Sequence, residues 1–387
     1  MSRIPYTNKV GETLGSIADP AAAYSLRALG GGDPMVARVR RSSDDAEKDF
    51  TASDMGSGSV ANWVNEQLNL TSTLNPTPVG ADATWVHTAI DDSNYDLEAI
   101  NNSATKFLNL KNVVFKGNTK YRFAFDYTVI SGTSNLSLKR STPYQTIAIS
   151  EGFNSIVLDL TDDSMIQFRC ATGATFEASI RNLTVTAIES DGFVTTWYDQ
   201  SGNDNHATQG TAGSQPKIVD SGVLVSDGIE FDGVDDYLGT STFSLTQPYT
   251  TLSVSKSFIN NDSGGLLSIS TAPNGTTSLN SFYRNDNGIA INAGATLTTA
   301  PSFTYSTNTS YLKTSLFNGA SSEISVNSIS RASGNSGSID PSGYLYLGNF
   351  SVYYLNGTIS EIIIYNSDQS SNREAIETNI NNHYDIY

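Results

Sequence analysis

Cysteine, histidine and basic residues are scarce in this chain: one Cys, three His and 22 Lys plus Arg in 387 residues. Cys170 alone can form no intrachain disulfide. Three scattered histidines argue against a histidine-based metal centre. With 39 acidic residues the net charge is -17 and the pI about 4.4, which removes the electrostatic basis for binding nucleic acid or an anionic membrane surface. No run approaches the roughly 18 apolar residues of a membrane-spanning helix. The opening MSRIPYTNKVGETLGSIADP lacks the apolar core of a signal peptide, so synthesis and folding in a reducing cytoplasm without export are expected. The N-x-S/T triplets at Asn135, Asn182 and Asn356 then reflect composition and not glycosylation.

What the chain has in quantity is Ser, Thr, Asn and Gly, against 38% hydrophobic and 16% charged residues, the composition of an all-β protein with polar turns. Residues 1–18 have no periodic pattern and read as an arm, though Ile4, Tyr6, Val10 and Leu14 could dock on a partner. DPAAAYSLRALGG predicts a helix, with Asp19 as N-cap, Pro20 in the first turn and Gly30 at the end. MVARVRR alternates as a strand, and SGSVANWVNEQL predicts a short helix capped by Ser57 or Ser59. Tyr121, Phe123, Phe125, Tyr127 and Val129 fall at period two, a half-buried antiparallel strand, with further short strands to about Glu189. From Phe193 strands and turns resume, as in TLSVSKSFI, GLLSIS, YLYLGN and GTISEIIIYN. SSNREAIETNINNHY predicts a C-terminal helix with a Ser371/Glu374 capping box and an Ile376, Ile380, Tyr384 stripe.

Two separated blocks carry a family resemblance: AYSLRALGGGDPMVARVRRSSDDAEKDF (23–50) and GFVTTWYDQSGNDNHATQGTAGSQPKIV (192–219), the latter followed by GIEFDGVDDYL (228–238). Together they resemble the arabinofuranosidase B-type catalytic domain, a concanavalin A-like sandwich related to laminin-G-type modules. The resemblance implies an all-β fold: a discontinuous concanavalin A-like (laminin-G-like) β-sandwich at 19–69 and 190–387, interrupted by a jelly-roll β-sandwich at 70–189. The interrupting segment resembles carbohydrate-binding modules. Insertion of this kind suits an exposed host loop and a guest whose termini lie close together.

The family's nucleophile region carries a Cys pair and a C-C-F-D-Y-G-N-x-E segment, and this chain has neither. The resemblance therefore transfers no catalytic residue, and a non-enzymatic protein is expected. Glu230-Phe231-Asp232-Gly233-Val234-Asp235 echoes the E-x-D-x-x-E strand of laminarinase-like enzymes, but reads as a strand end followed by an Asp-rich turn. WYDQSGND (197–204) reads as a tight loop in which Asp199 and Ser201 cap amides and Gly202 takes positive φ. Its alternative is a Ca2+ loop built from Asp199, Asn203, Asp204 and Asp235. Arg38, Arg40 and Arg41 beside Asp44 and Asp45 read as a salt-bridge network. Trp85, Tyr95, Tyr144, Tyr353 and Tyr354 are the candidate sugar-stacking aromatics.

Sandwiches of this family also occur in tailed-phage virions. The expected function is a phage structural protein on the virion surface, a decoration, fibre or adhesion subunit made in the host cytoplasm. It would contact other virion proteins and host-surface glycans as a homo-oligomer, a trimer by analogy. The alternatives are a glycoside hydrolase or depolymerase and a bacterial surface lectin.

Overall fold

The computed structural model describes residues 18–65, 78–79, 85–91, 94–99, 106–109, 115–117, 119–133, 136–140, 145–170, 175–260, 263–272 and 277–387. The expected anchoring arm, residues 1–17 of it, lies outside them. The chain is all-β, with short helices at Ala52–Ser57, Ser59–Val64 and Arg373–Tyr384. The strands from Ala22 to Thr51 and from Gly192 to Tyr365 join one large, nearly closed antiparallel network; only the Asn349–Phe350 and Tyr353–Tyr354 pair stands apart. The strands between Pro78 and Ile188 form two five-stranded sheets of their own, and their apolar residues make a separate core around Phe123, Phe125, Phe168 and Ile180.

Asn65 and Ser190, which flank the interrupting segment, lie together. Ser190 N donates to Asn65 Oδ1 at 3.3 Å, and Asn65 Nδ2 donates to Gly222 O at 3.0 Å. Few described contacts join the two parts: Tyr121 Oη donates to Ser43 O at 3.1 Å, and Lys116 lies 3.2 Å from Asp45.

The strand Asn356–Tyr365 organises the large network. One of its edges pairs with Ile229–Asp232 and, further along, with Ala22–Ser25; the other pairs with Tyr249–Ser257. A bulge passes over Ser360, so that Ile359 and Ile362 both face the main core while Ile363 and Tyr365 face the C-terminal helix. The helix lays Ile376 and Ile380 on that outer face, where the expected stripe packs with Tyr384. Its expected capping box is absent: Asn372 is the N-cap, makes no side-chain cap bond, and bonds back to Gln369 instead.

The predicted helix at 19–30 is also corrected. Ala22–Ser25 is a strand, fully buried and paired with Glu361–Ile364. Ala is a strong helix former in isolation, but a segment buried on both faces gains more from a sheet edge than from helix propensity. The helix expected over SGSVANWVNEQL runs Ser59–Val64 with Gly58, not Ser57 or Ser59, at its N-cap and no side-chain cap bond; a separate helix, Ala52–Ser57, precedes it, capped by Thr51 with Asp54 and ended by Gly58 at φ 79°.

Arg27 is locked on the same hub strand. Its guanidinium meets Glu361 in two bonds, 2.8 and 3.0 Å, and a third reaches Asn379 at 2.9 Å. Inside the main core, Lys313 bonds to Tyr283 Oη at 2.6 Å and to Ser255 Oγ, with no carboxylate partner among the described residues. Burial pushes its ammonium well below the ordinary lysine range.

Two outcomes are expected. Replacing residues 70–189 by a short linker should leave the large network folded, seen as a cooperative thermal transition and a dispersed amide spectrum; an aggregated or molten product would show that the two parts fold as one. Because burial lowers the Lys313 pKa in the fold, the unfolded chain binds more protons between the folded value and the ordinary lysine pKa, and stability rises with pH through that window. Lys313→Met should flatten that rise and raise the unfolding free energy at neutral pH by about 1–3 kcal/mol, measured by urea melts across pH.

Candidate functional site

The two family-like blocks meet each other, and their contacts are structural. Asp199 Oδ1 accepts from Ala23 N at 2.8 Å and Ser201 N at 2.9 Å; its Oδ2 accepts from Ser201 Oγ at 2.6 Å and Asn205 N at 3.0 Å. Gln200 Nε2 donates to Ser25 O and Arg27 O, both at 2.9 Å, and its Oε1 accepts from Leu29 N at 2.9 Å. Trp197 is fully buried, 5.7 Å from the Tyr24 ring. Gly202 has φ 86°, as the tight-loop reading requires. Arg38, Arg40 and Arg41 pair with Asp49, Asp45 and Asp44.

The structure does not assemble the four Ca2+ candidates. Both oxygens of Asp199 are taken by hydrogen bonds, Asn203 Nδ2 donates to Pro20 O and Ala21 O, and Asp204 projects into solvent beside His206. Asp235 lies elsewhere, its ligand oxygen within 4.8 Å of those of Asp232 and Asp236. That cluster is the Asp-rich turn read from the sequence: Asp232 Oδ1 accepts from Val234 N at 2.8 Å, and Asp236 Oδ2 accepts from Asp232 N at 3.0 Å. Burial, with the Asp232 and Asp235 charges, pushes Asp236 up to about 7.

The aromatic candidates are also dispersed. Trp85 and Tyr95 pair with Ala99 and Ala89 in one sheet of the interrupting segment, their side chains outside the described set; Tyr144 lies outside the described residues altogether. Tyr353 is exposed beside Phe350, at 5.7 Å between rings, and Tyr354 pairs with Asn349.

A different place gathers chemistry. Across four neighbouring strands Lys217, Glu230, Thr358 and Lys256 lie in register, and cross-strand partners share a face. Their neighbours Ile218, Ile229, Phe231 and Ile359 point into the core, so this row points outward. The C-terminal helix covers the outer face further along the hub strand and leaves Thr358 uncovered by helix. Residues 220–227 form a wall here instead, held by Ser360 Oγ donating to Asp227 O at 2.6 Å. Gly228, at φ 112°, lets this wall approach: a Cβ there would sit 2.3 Å from Ile359 O. The result is an open groove of about 270 Å3, lined by Asp220, Asp227, Glu230, Lys256, Phe258 and Thr358 among others.

Two polar groups in the groove lack partners. Thr358 Oγ1 is one of nine buried side-chain polar atoms without a hydrogen bond among the described residues, and the one of them that lines this groove. Glu230 is half-buried and makes no hydrogen bond or ion pair among the described residues. Burial pushes its carboxyl above the ordinary glutamate range; Asp220 and Asp191 add to the shift, while Lys217 and Lys256 oppose it. Both lysines are already engaged, Lys217 with Asp220 at 2.9 Å and Asp191 at 3.2 Å, Lys256 with Asp227. The Lys256 ammonium also lies 5.3 Å from the Phe258 ring centre. In the sequence, Glu230 to Asp235 read as a strand end followed by an Asp-rich turn. The strand end is real, but only the register with Thr358 and Lys256 reveals the groove.

No family model and no curated protein matches the chain. Solved structures similar to it include a Trypanosoma rangeli sialidase in complex with sialic acid (11% identity, 88% of this chain, 60% of that one, TM-score 0.37). Another is a GH54 α-L-arabinofuranosidase (13% identity, 66% of this chain, 62% of that one, TM-score 0.40). A third is described as a carbohydrate-binding protein from Bacteroides ovatus (10% identity, 70% and 78%, TM-score 0.30). The chain spans about three-fifths of the length of the sialidases. Against the expectation of a non-enzymatic protein, two of these three structures are glycosidases. At TM-scores of 0.40 or below they assign neither residues nor substrate to this chain.

Asp199→Ala should lower the unfolding free energy by about 3 kcal/mol, because buried backbone amides of both blocks lose their acceptor. Denaturant melts of the variant measure this, and an unchanged midpoint would refute the structural role.

Proposed function

We propose that the chain is a carbohydrate-active β-sandwich protein that binds a saccharide in the Glu230 groove and hydrolyses a glycosidic bond there. On this reading the large network follows the concanavalin A-like plan, and the 70–189 segment is a carbohydrate-binding jelly roll. The observation that carries it is the unpartnered Glu230 carboxyl, with its raised pKa, beside the buried and equally unpartnered Thr358 hydroxyl. A polar floor of this kind with an aromatic wall, here Phe258, matches the needs of a sugar ring: hydroxyl partners below and an apolar face alongside.

Hydrolysis needs a proton donor and a carboxylate to activate water. Glu230 is suited to donate, since a raised pKa keeps more of it protonated near neutrality. Its proton goes to the glycosidic oxygen as the bond to the anomeric carbon breaks. Water adds its oxygen to that carbon and releases a proton to Asp227, a carboxylate that also lines the groove. Attachment to a larger particle and threefold assembly are a separate proposal that rests on the composition of residues 1–18 and on analogy alone.

Glu230→Gln keeps the shape of the side chain but cannot donate that proton. It should cut turnover of a responsive substrate by roughly 100-fold or more while leaving binding within a few-fold. Wild-type activity should fall as pH rises through the Glu230 pKa, where the acid is lost. A screen of oligosaccharides by reducing-end release supplies the substrate. Full activity in Glu230→Gln would overturn the assignment.

A further inference from the structure

We infer that the groove selects uncharged saccharides and rejects acidic ones such as uronic or sialic acids; this rests on the groove being the saccharide site. The inference comes from the ionic pairing around Glu230. Two ammonium groups face this region, and neither is free. Lys217 is shared by Asp220 and Asp191, and Lys256 is held by Asp227. Recognition of a sugar carboxylate draws on an unengaged guanidinium or ammonium, or on converging backbone amides. Here three aspartates stand against two lysines, so the local balance is negative even with Glu230 protonated.

The two groups that do lack partners, Glu230 and Thr358 Oγ1, suit hydroxyls. A hydroxyl can donate to a carboxylate oxygen, and it can donate to or accept from the threonine. A sugar carboxylate brought into the groove would meet the surplus aspartate charge in a half-buried setting, where repulsion is screened less than at an open surface. The groove is thus complementary to a neutral, hydroxyl-rich ring lying along the Phe258 wall.

The test is a glycan array on the full chain in which each neutral oligosaccharide is matched with its C6-oxidised uronate, plus sialylated glycans. Neutral members should bind, and their uronate counterparts at least about tenfold more weakly. Raising salt should narrow that gap by strengthening the acidic arm only. Asp191 does not line the groove, so Asp191→Asn should leave neutral binding unchanged. By removing one negative charge and one of the two carboxylates that hold Lys217, it should strengthen uronate binding roughly threefold. A uronate or sialylated glycan that binds as tightly as its neutral match, or a gap indifferent to salt, overturns the selectivity. Binding of neither class overturns the groove reading itself and this inference with it.

Discussion

A buried guanidinium–carboxylate pair, Arg27 with Glu361, fixes the part of the fold on which the rest depends. Glu361 sits beside the bulge at Ser360 in the hub strand, and Arg27 follows the short strand that pairs with it. The carboxylate also accepts from Ser25 Oγ at 2.9 Å and Tyr384 Oη at 3.1 Å, so one buried charge ties the first strand and the last helix to the middle of the sheet. Loss of one partner would leave the other charged and dry, a penalty of about 3–5 kcal/mol, which makes the register around the bulge hard to shift. The Asp199 and Gln200 side chains complete this arrangement from the other block by saturating the backbone of residues 21–29.

The groove follows from that register. Because the bulge returns Ile359 to the core, Thr358 points out, and Glu230 and Lys256 stand on either side of it. The helix ends too early to cover them, and the 220–227 wall leans over without filling the space. What remains is a carboxyl and a hydroxyl without partners among the described residues, with Lys217 and Lys256 both held by aspartates.

Much of the strand layout is legible in the sequence, since alternating patterns such as Tyr121 to Val129 and the apolar run of Ile359 to Tyr365 determine faces locally. The segment around Ala22 misleads because its alanines and capping residues favour a helix, whereas its strand is imposed by distant residues, Glu361 to Ile364. The quoted motifs are legible as conspicuous residues, but their work is to lock two blocks together, and spacing does not distinguish a packed Asp199 from a ligating one. Glu230 is the reverse case. Nothing in EFDGVD marks its carboxyl as unpaired, because its neighbours Thr358 and Lys256 come from strands far along the chain, joined to it only by register.

The account stands on the state of one carboxyl. A 13C-carboxyl NMR titration of Glu230, assigned through Glu230→Gln and repeated with a bound oligosaccharide, reads it directly. The account predicts a midpoint above the ordinary glutamate range in the free protein and a clear displacement of the signal when saccharide is added. A midpoint at or below that range, with no response to any saccharide that binds the protein, would contradict it.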